Sequence, residues 1–178
     1  NTYRFYWNTN AENFVRRMKK ESERFWNEER STLLSKTGLD ANELMTLASI
    51  VQAETSRVSD MKRIAGVYMN RLNKGIRLQA CPTVLYAHGE PRLKRLLNRH
   101  LKIDSPYNTY IHRGLPPGPI RVPSLQAINA CLNYERNDYI YFCAKEDLSG
   151  ETVFAKTYVQ HLRNARKYQK ALDQRNIY

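Results

Sequence analysis

Cysteine is scarce in this 178-residue chain, which has three, and glycine is thin at seven. Cys81, Cys131 and Cys143 show no Cys-x-x-Cys spacing, which argues against a zinc site, and their odd number leaves at least one thiol without an intrachain partner. Cys131 and Cys143 stand in apolar contexts and read as small core residues. No glycine-rich loop is present to cradle phosphates, and His88, His100, His112 and His161 lack the paired spacing of a His-Glu-x-x-His site. No metal and no cofactor are expected. No apolar run approaches the ~18 residues of a membrane span, and no signal-peptide pattern opens the chain. Internal repeats and low-complexity tracts are missing too. Nothing local marks a Ser-His-Asp or Cys-His arrangement, whose members meet only in space.

What is present suits one folded domain with a sizeable core: 42% hydrophobic and 26% charged residues. Basic residues outnumber acidic ones 29 to 17, for a net charge of +12. They are spread over Arg16-Arg17, Lys19-Lys20, Arg92 to Arg99 and Arg163 to Lys170. Without zinc-finger spacing or an aromatic RNA-binding signature, solvated helix faces explain them better than a nucleic-acid footprint. No nucleic-acid partner is expected. Asn1 stands where Met would begin a gene product, so the chain is expected to be a trimmed piece.

Taken in order, Asn1 to Trp7 reads as an extended aromatic entry. Thr9-Asn10-Ala11-Glu12 reads as a capping box opening a helix whose core stripe is Ala11, Phe14, Val15, Met18, Phe25 and Trp26. Gly38 breaks the chain, and Asp40 with Glu43 caps the next helix. A third helix is expected from Asp60, with Ile64, Ala65, Tyr68 and Leu72 on one side and Gly75 ending it. Ile76 to Leu78 suggests a short strand, and Pro82 to Tyr86 a brief helix closed by Gly89. Glu90 to Ile103 is ambiguous. Four prolines and two glycines make Ser105 to Ile120 an irregular loop, dense in Tyr and Asn, of the kind that lines sites or serves as a crossover. Pro123 opens a helix to about Leu132, with Leu125, Ile128 and Cys131 or Leu132 inward. Tyr139 to Lys145 and Thr152 to Ala155 form a hairpin about Asp147–Gly150, and Thr157 caps a basic final helix. The class is α+β, a mostly helical single domain with a small antiparallel sheet.

One residue breaks the pattern. On the helix Leu44 to Thr55, with Leu47 set at zero, Glu54 falls near −20°, inside an apolar stripe that spans roughly −60° to 100°. A carboxylate there must be paired, wet in a cleft, or used. Glu43 shares that stripe angle, but as an acid in a first turn it is explained by the helix dipole. A lone buried carboxylate with Tyr-, Asn- and Gln-rich loops is the make-up of a carbohydrate cleft. Glycosidic cleavage needs a protonated acid, which burial supplies by raising a glutamate to about 6 in favourable pockets. Ordinary glycosidases add a second carboxylate, and none stands at a matched position.

Leu47-Ala-Ser-Ile-Val-Gln-Ala-Glu-Thr55, Ala65-Gly-Val-Tyr-Met-Asn-Arg-Leu72, Leu78-Gln-Ala-Cys-Pro-Thr-Val84, Ser105-Pro-Tyr-Asn-Thr-Tyr110 and Gly114-Leu-Pro-Pro-Gly-Pro-Ile120 look like the endolytic murein transglycosylases of the MltG or YceG type. Tyr139-Ile-Tyr-Phe and Val153-Phe-Ala-Lys-Thr157 resemble that family's terminal hairpin and helix. The resemblance implies a lysozyme-like catalytic helix carrying one glutamate, which maps onto Glu54. It implies cleavage within peptidoglycan strands, between N-acetylmuramic acid and N-acetylglucosamine, with a 1,6-anhydro end and no water consumed. Gln79, Asn108, Thr109 and Tyr110 would line the glycan groove, with Asn70 and Arg71 supporting it. Residues 1–178 would be the catalytic domain, without the family's N-terminal membrane anchor and LysM-like region. It would face the periplasm from the inner membrane, joined to the membrane only through that anchor, with peptidoglycan strands and cell-wall synthases as partners. Two positions depart from the family: Gln52 stands where relatives often carry an acid, and Cys81 where Asp is common. A hydrolytic muramidase and a non-catalytic peptidoglycan-binding domain are the alternatives.

Overall fold

The structure is a computed structural model that describes residues 2–89 and 97–175. Part of the ambiguous stretch, residues 90–96, and with it Arg92, lies outside the described residues. The chain forms two compact units, Asn1–Leu39 and Asp40–Tyr178.

The first unit holds α1 (Ala11–Phe25) and α2 (Glu28–Ser35). Asn10, not Thr9, caps α1, because its side chain accepts the Asn13 N–H while the Thr9 hydroxyl turns back to the Tyr6 carbonyl. One helix through Trp26 was expected, but there are two. Asn27 takes an extended backbone and caps α2 by accepting the Arg30 N–H, which stops α1. The expected core stripe is not a core: α1 has no buried residue, and Phe14 and Val15 are exposed. Helical spacing marks which residues share a face, not what covers it.

In the second unit α3 (Ala41–Glu54) is the central helix. Its capping box is closed both ways, with Asp40 accepting the Glu43 N–H and Glu43 accepting the Asp40 N–H. Every residue from Thr46 to Val51 is buried. An α3 buried on all sides replaces the one-faced stripe read from the sequence. Its Ser49 hydroxyl donates to the Thr46 carbonyl and accepts the Ile120 N–H, fastening the end of the irregular 105–120 loop to the core.

Around α3 pack α4 (Val58–Asn73), α5 (Cys81–His88) and α6 (Leu125–Leu132). Helix α4 begins at Val58, ahead of Asp60, and carries Met61, Ile64, Ala65, Val67, Tyr68 and Met69 into the core. Each of the larger aliphatic side chains, Met61, Ile64, Val67 and Met69, contributes roughly 1.5–3 kcal/mol by burial. Gly66 sits where the chain after α6 crosses α4, and a Cβ there would overlap the Glu135 carbonyl oxygen. Ile76–Leu78 forms no strand. The Arg71 guanidinium takes the carbonyls of Arg77 and Leu78, which a ladder would need. Helix α6 starts at Leu125, with Ser124 as its cap and Pro123 outside it, and Leu125 is exposed while Ile128, Cys131 and Leu132 are buried. The sheet is one antiparallel hairpin, β1 (Tyr141–Ala144) with β2 (Thr152–Ala155), in the register Tyr141↔Ala155 to Ala144↔Thr152. It packs on α4 and on α7 (Tyr158–Gln174), which Thr157 caps. The class is α+β, as the sequence predicts.

Candidate active site

Glu54 is the last residue of α3, where the peptide dipoles leave a partial negative charge that disfavours a carboxylate. Tyr68, a fully buried residue on α4, donates its hydroxyl to Glu54 Oε1 at 2.6 Å. Its ring packs edge-on to Phe142 of β1, centroids 5.7 Å apart, so the donor is held from two sides. Burial pushes the Glu54 carboxyl up from its ordinary 4.5 to about 7, against the opposing pull of the Tyr68 hydrogen bond and the Arg71 charge. The hydroxyl of Tyr68 is itself pushed well above its usual range, by burial and then by Glu54, so it remains a donor.

Glu54 opens onto a cavity of about 530 Å³, within the ~300–1,000 Å³ usual for ligand sites. The floor comes from α3 and α4 through Glu54, Ile64, Tyr68 and Arg71. One side comes from Leu78, Gln79, Cys81 and Tyr110, and the facing wall from Tyr141 to Ala144, Gly150 to Thr152, Tyr158 and His161. Arg71 is the keystone of the floor. Its Nε donates to the Ile140 carbonyl (2.7 Å) and its Nη1 to the carbonyls of Leu78 (2.8 Å) and Arg77 (3.1 Å). Burial lowers the Arg71 titration below the ordinary arginine range, which still leaves it a cation at neutral pH. Gln79 holds a left-handed backbone, φ 51°, strained for a residue with a side chain. Its N–H donates to the Thr109 carbonyl and its Oε1 accepts from Arg71 Nη1.

Of the residues singled out from the sequence, the structure brings Glu54, Arg71, Gln79 and Tyr110 together on one cavity. Asn108 and Thr109 lie beneath it instead. Asn108 is 0% exposed, its amide donates to the carbonyls of Leu101 and Ile103, and its Oδ1 accepts the Tyr110 N–H. Thr109 accepts the Ala80 N–H and meets the Thr83 hydroxyl at 2.8 Å. With their polar atoms committed to neighbouring loops, both shape the groove from below and do not line it. Asn70 also stands off the cavity, donating to the carbonyls of Asn137 and Tyr139 to fix the approach to β1.

Tyr68 was read from the sequence only as packing. A tyrosine in a core stripe must bring its hydroxyl a partner, and that signal was available. Cys143, expected in the core, stands half-buried in the cavity wall. Cys81 stands on the opposite side, its Sγ 3.1 Å from the Tyr110 hydroxyl, and burial pushes its thiol up, which keeps it protonated. Gln52 accepts the Ser124 N–H and anchors the start of α6, outside the cavity. The second cavity carboxylate, Glu151, is half-buried, held low by Lys145 at 2.8 Å and also paired with Arg57 at 3.4 Å. Two carboxylates thus sit in opposite states around one space.

Similarity to known proteins agrees with this geometry. The chain is 39% identical over 160 residues to an endolytic murein transglycosylase of Bacillus subtilis, covering 90% of this chain and 43% of that protein. It is 40% identical over 142 residues to the endolytic murein transglycosylase of Streptococcus pneumoniae, covering 78% and 25%. A 2.6 Å crystal structure of a YceG-like protein from Listeria monocytogenes superposes with a TM-score of 0.77 at 37% identity, over 90% of this chain and 52% of that one. The chain therefore spans less than half the length of the curated relatives it matches. Residues 1–167 match the YceG-like family, and with the half-buried glutamate, its tyrosine and the cavity they share all in place, the chain belongs to that family.

Proposed function

We propose that this chain is the catalytic domain of an endolytic peptidoglycan lytic transglycosylase, with Glu54 as its single acid and base. The observation that carries this reading is a glutamate poised near pH 7 by burial while the other cavity carboxylate is locked in ion pairs. With Oε1 accepting from Tyr68, the proton resides on Oε2. Oε2–H protonates the glycosidic oxygen between N-acetylmuramic acid and N-acetylglucosamine, and the C1–O bond breaks. The Glu54 carboxylate so formed takes the proton of the muramyl 6-hydroxyl as O6 closes on C1. One strand leaves with a free 4-hydroxyl and the other with a 1,6-anhydro end, and Glu54 is protonated again with no water consumed. Gln79, Tyr110 and Arg71 are the residues proposed to hold the strand. Substrate of this kind lies outside the cytoplasm. Attachment to the inner membrane and action beside cell-wall synthases on growing strands belong to the same proposal. Among the described residues, no helix is long and apolar enough to cross a membrane.

Glu151 favours a second reading, hydrolysis with Glu151 as base for water. Mass spectrometry of peptidoglycan digested by the chain separates the two, since an anhydro end is one water lighter than a reducing end. Anhydro products that fall ~10²–10⁴-fold in rate with Glu54→Gln and persist in Glu151→Gln support the proposal. Reducing ends lost in Glu151→Gln, or near-normal rates in Glu54→Gln, overturn it.

A further inference from the structure

The cavity beside Glu54 has an aromatic wall that the reaction above leaves unused. Tyr141 on β1, Tyr158 at the start of α7 and His161 one turn later all line it. Tyr141 and His161 lie nearly parallel, 17° apart with centroids separated by 5.2 Å. Tyr158 completes the group at 5.8 Å from Tyr141 and 6.3 Å from His161. The guanidinium carbon of Arg71 lies 5.3 Å from the Tyr141 ring centre, so a third element holds the same ring.

Core packing accounts for buried rings, but Tyr158 is 57% exposed at the edge of a polar cavity. An exposed ring continuous with a cavity wall is the kind of apolar surface that a ligand covers. Pyranose rings match it. Their hydroxyls project sideways, while the axial C–H groups present a weakly positive face to the negative face of an aromatic ring. Polar neighbours in the same cavity, Gln79, Thr152 and Glu151, are placed to meet the hydroxyls. His161 stays uncharged at neutral pH, because burial and then Arg71 lower its titration, so the wall offers neutral faces.

We infer that Tyr141, Tyr158 and His161 form a subsite that stacks the ring of an aminosugar flanking the cleaved bond. It rests on the glycan reading above and adds the place where that strand is gripped. The test uses the full chain carrying Glu54→Gln, with the tetramer of β-1,4-linked N-acetylglucosamine as probe, by titration calorimetry. Tyr158→Ala is expected to weaken binding about three- to tenfold, the value of one aromatic contact. Tyr158→Phe, which keeps the ring, restores it, and Val159→Ala on the next residue leaves it unchanged. In the otherwise native chain, Tyr158→Ala raises KM on glycan strands by the same factor while kcat holds. Binding that is absent, or equal in Tyr158→Ala and its parent, overturns the subsite. A Tyr158-dependent grip on the tetramer with no anhydro product overturns the transglycosylase reading and leaves the subsite standing. Anhydro product with Tyr158-independent binding does the reverse.

Discussion

Replacing Glu54 by Gln is expected to inactivate the protein and, as pH rises from about 4.5 through 7, to make it more stable than the parent. A carboxyl whose titration is raised from 4.5 to about 7 on folding binds its proton more tightly in the native state. Between those two values the native chain holds more protons than the unfolded one, so stability falls as pH rises. Below pH 4.5 the two states are equally protonated and nothing is lost. Above pH 7 the loss is complete: the gap of about 2.5 pH units, at 1.36 kcal/mol each, comes to about 3 kcal/mol. Glutamine keeps the shape and the acceptor for Tyr68 but has no charge to bury, and every other titrating group is shared with the parent. The difference in melting temperature between Glu54→Gln and the parent therefore isolates this one carboxyl. It is expected to be small at pH 4.5 and to reach roughly 6–12 °C in favour of Glu54→Gln at pH 8.5. Thermal unfolding followed by circular dichroism across that range measures it. A difference that does not change with pH would refute the claim that Glu54 is held protonated by its surroundings, whatever the enzyme assay shows.

Tyr68→Phe removes the hydrogen bond that favours the charged carboxylate, so Glu54 titrates still higher and the alkaline limb of kcat/KM moves to higher pH. With the carboxyl less firmly held, kcat falls on the order of tenfold; a pH–rate profile superposable on the parent's would contradict this. Gly66→Ala forces the chain at Glu135 away from α4, and a free energy of unfolding lowered by about 1–3 kcal/mol, read as a lower urea midpoint, is expected. Arg71→Lys keeps the charge but loses the fork that clamps the carbonyls of Ile140, Arg77 and Leu78. A loss of about 3 kcal/mol, together with a raised KM, is expected, and an unchanged urea midpoint would show that the clamp is dispensable.

What the sequence made legible was local. The Asp40–Glu43 box, the Gly89 stop after α5 and the turn between β1 and β2 are written within a few residues of where they act. Glu54 was legible because a charge in an apolar pattern is an anomaly within a single helix. Arg71, Gln79 and Tyr110 came only through the family resemblance, and Tyr68, Tyr141 and His161 were not legible as site residues, because they reach the cavity from three different elements and no spacing encodes that meeting. Asn108 shows the converse. An amide in a Tyr- and Pro-rich loop has the same composition whether it faces a ligand or satisfies the loop's own carbonyls, and only the fold turned this one inward. The break between α1 and α2 was announced by Asn27-Glu28-Glu29, a capping sequence masked by the continuing aromatic spacing.

The cavity's two walls differ in stiffness. Its floor is on α3 and α4, whose backbone hydrogen bonds are buried in the core and open only when the unit unfolds. The facing wall rides on a hairpin of four residues a side, and two strands alone are marginal in water. Tyr68 against Phe142, Arg71 on Ile140 and the packing of α7 are what keep that hairpin in place. Amide exchange should therefore run faster in β1 and β2 than in α3, by the ratio of a local opening to a global one. Glu54 and Tyr68 thus stand on the rigid side of the cavity, and Tyr141 on the side that opens more readily.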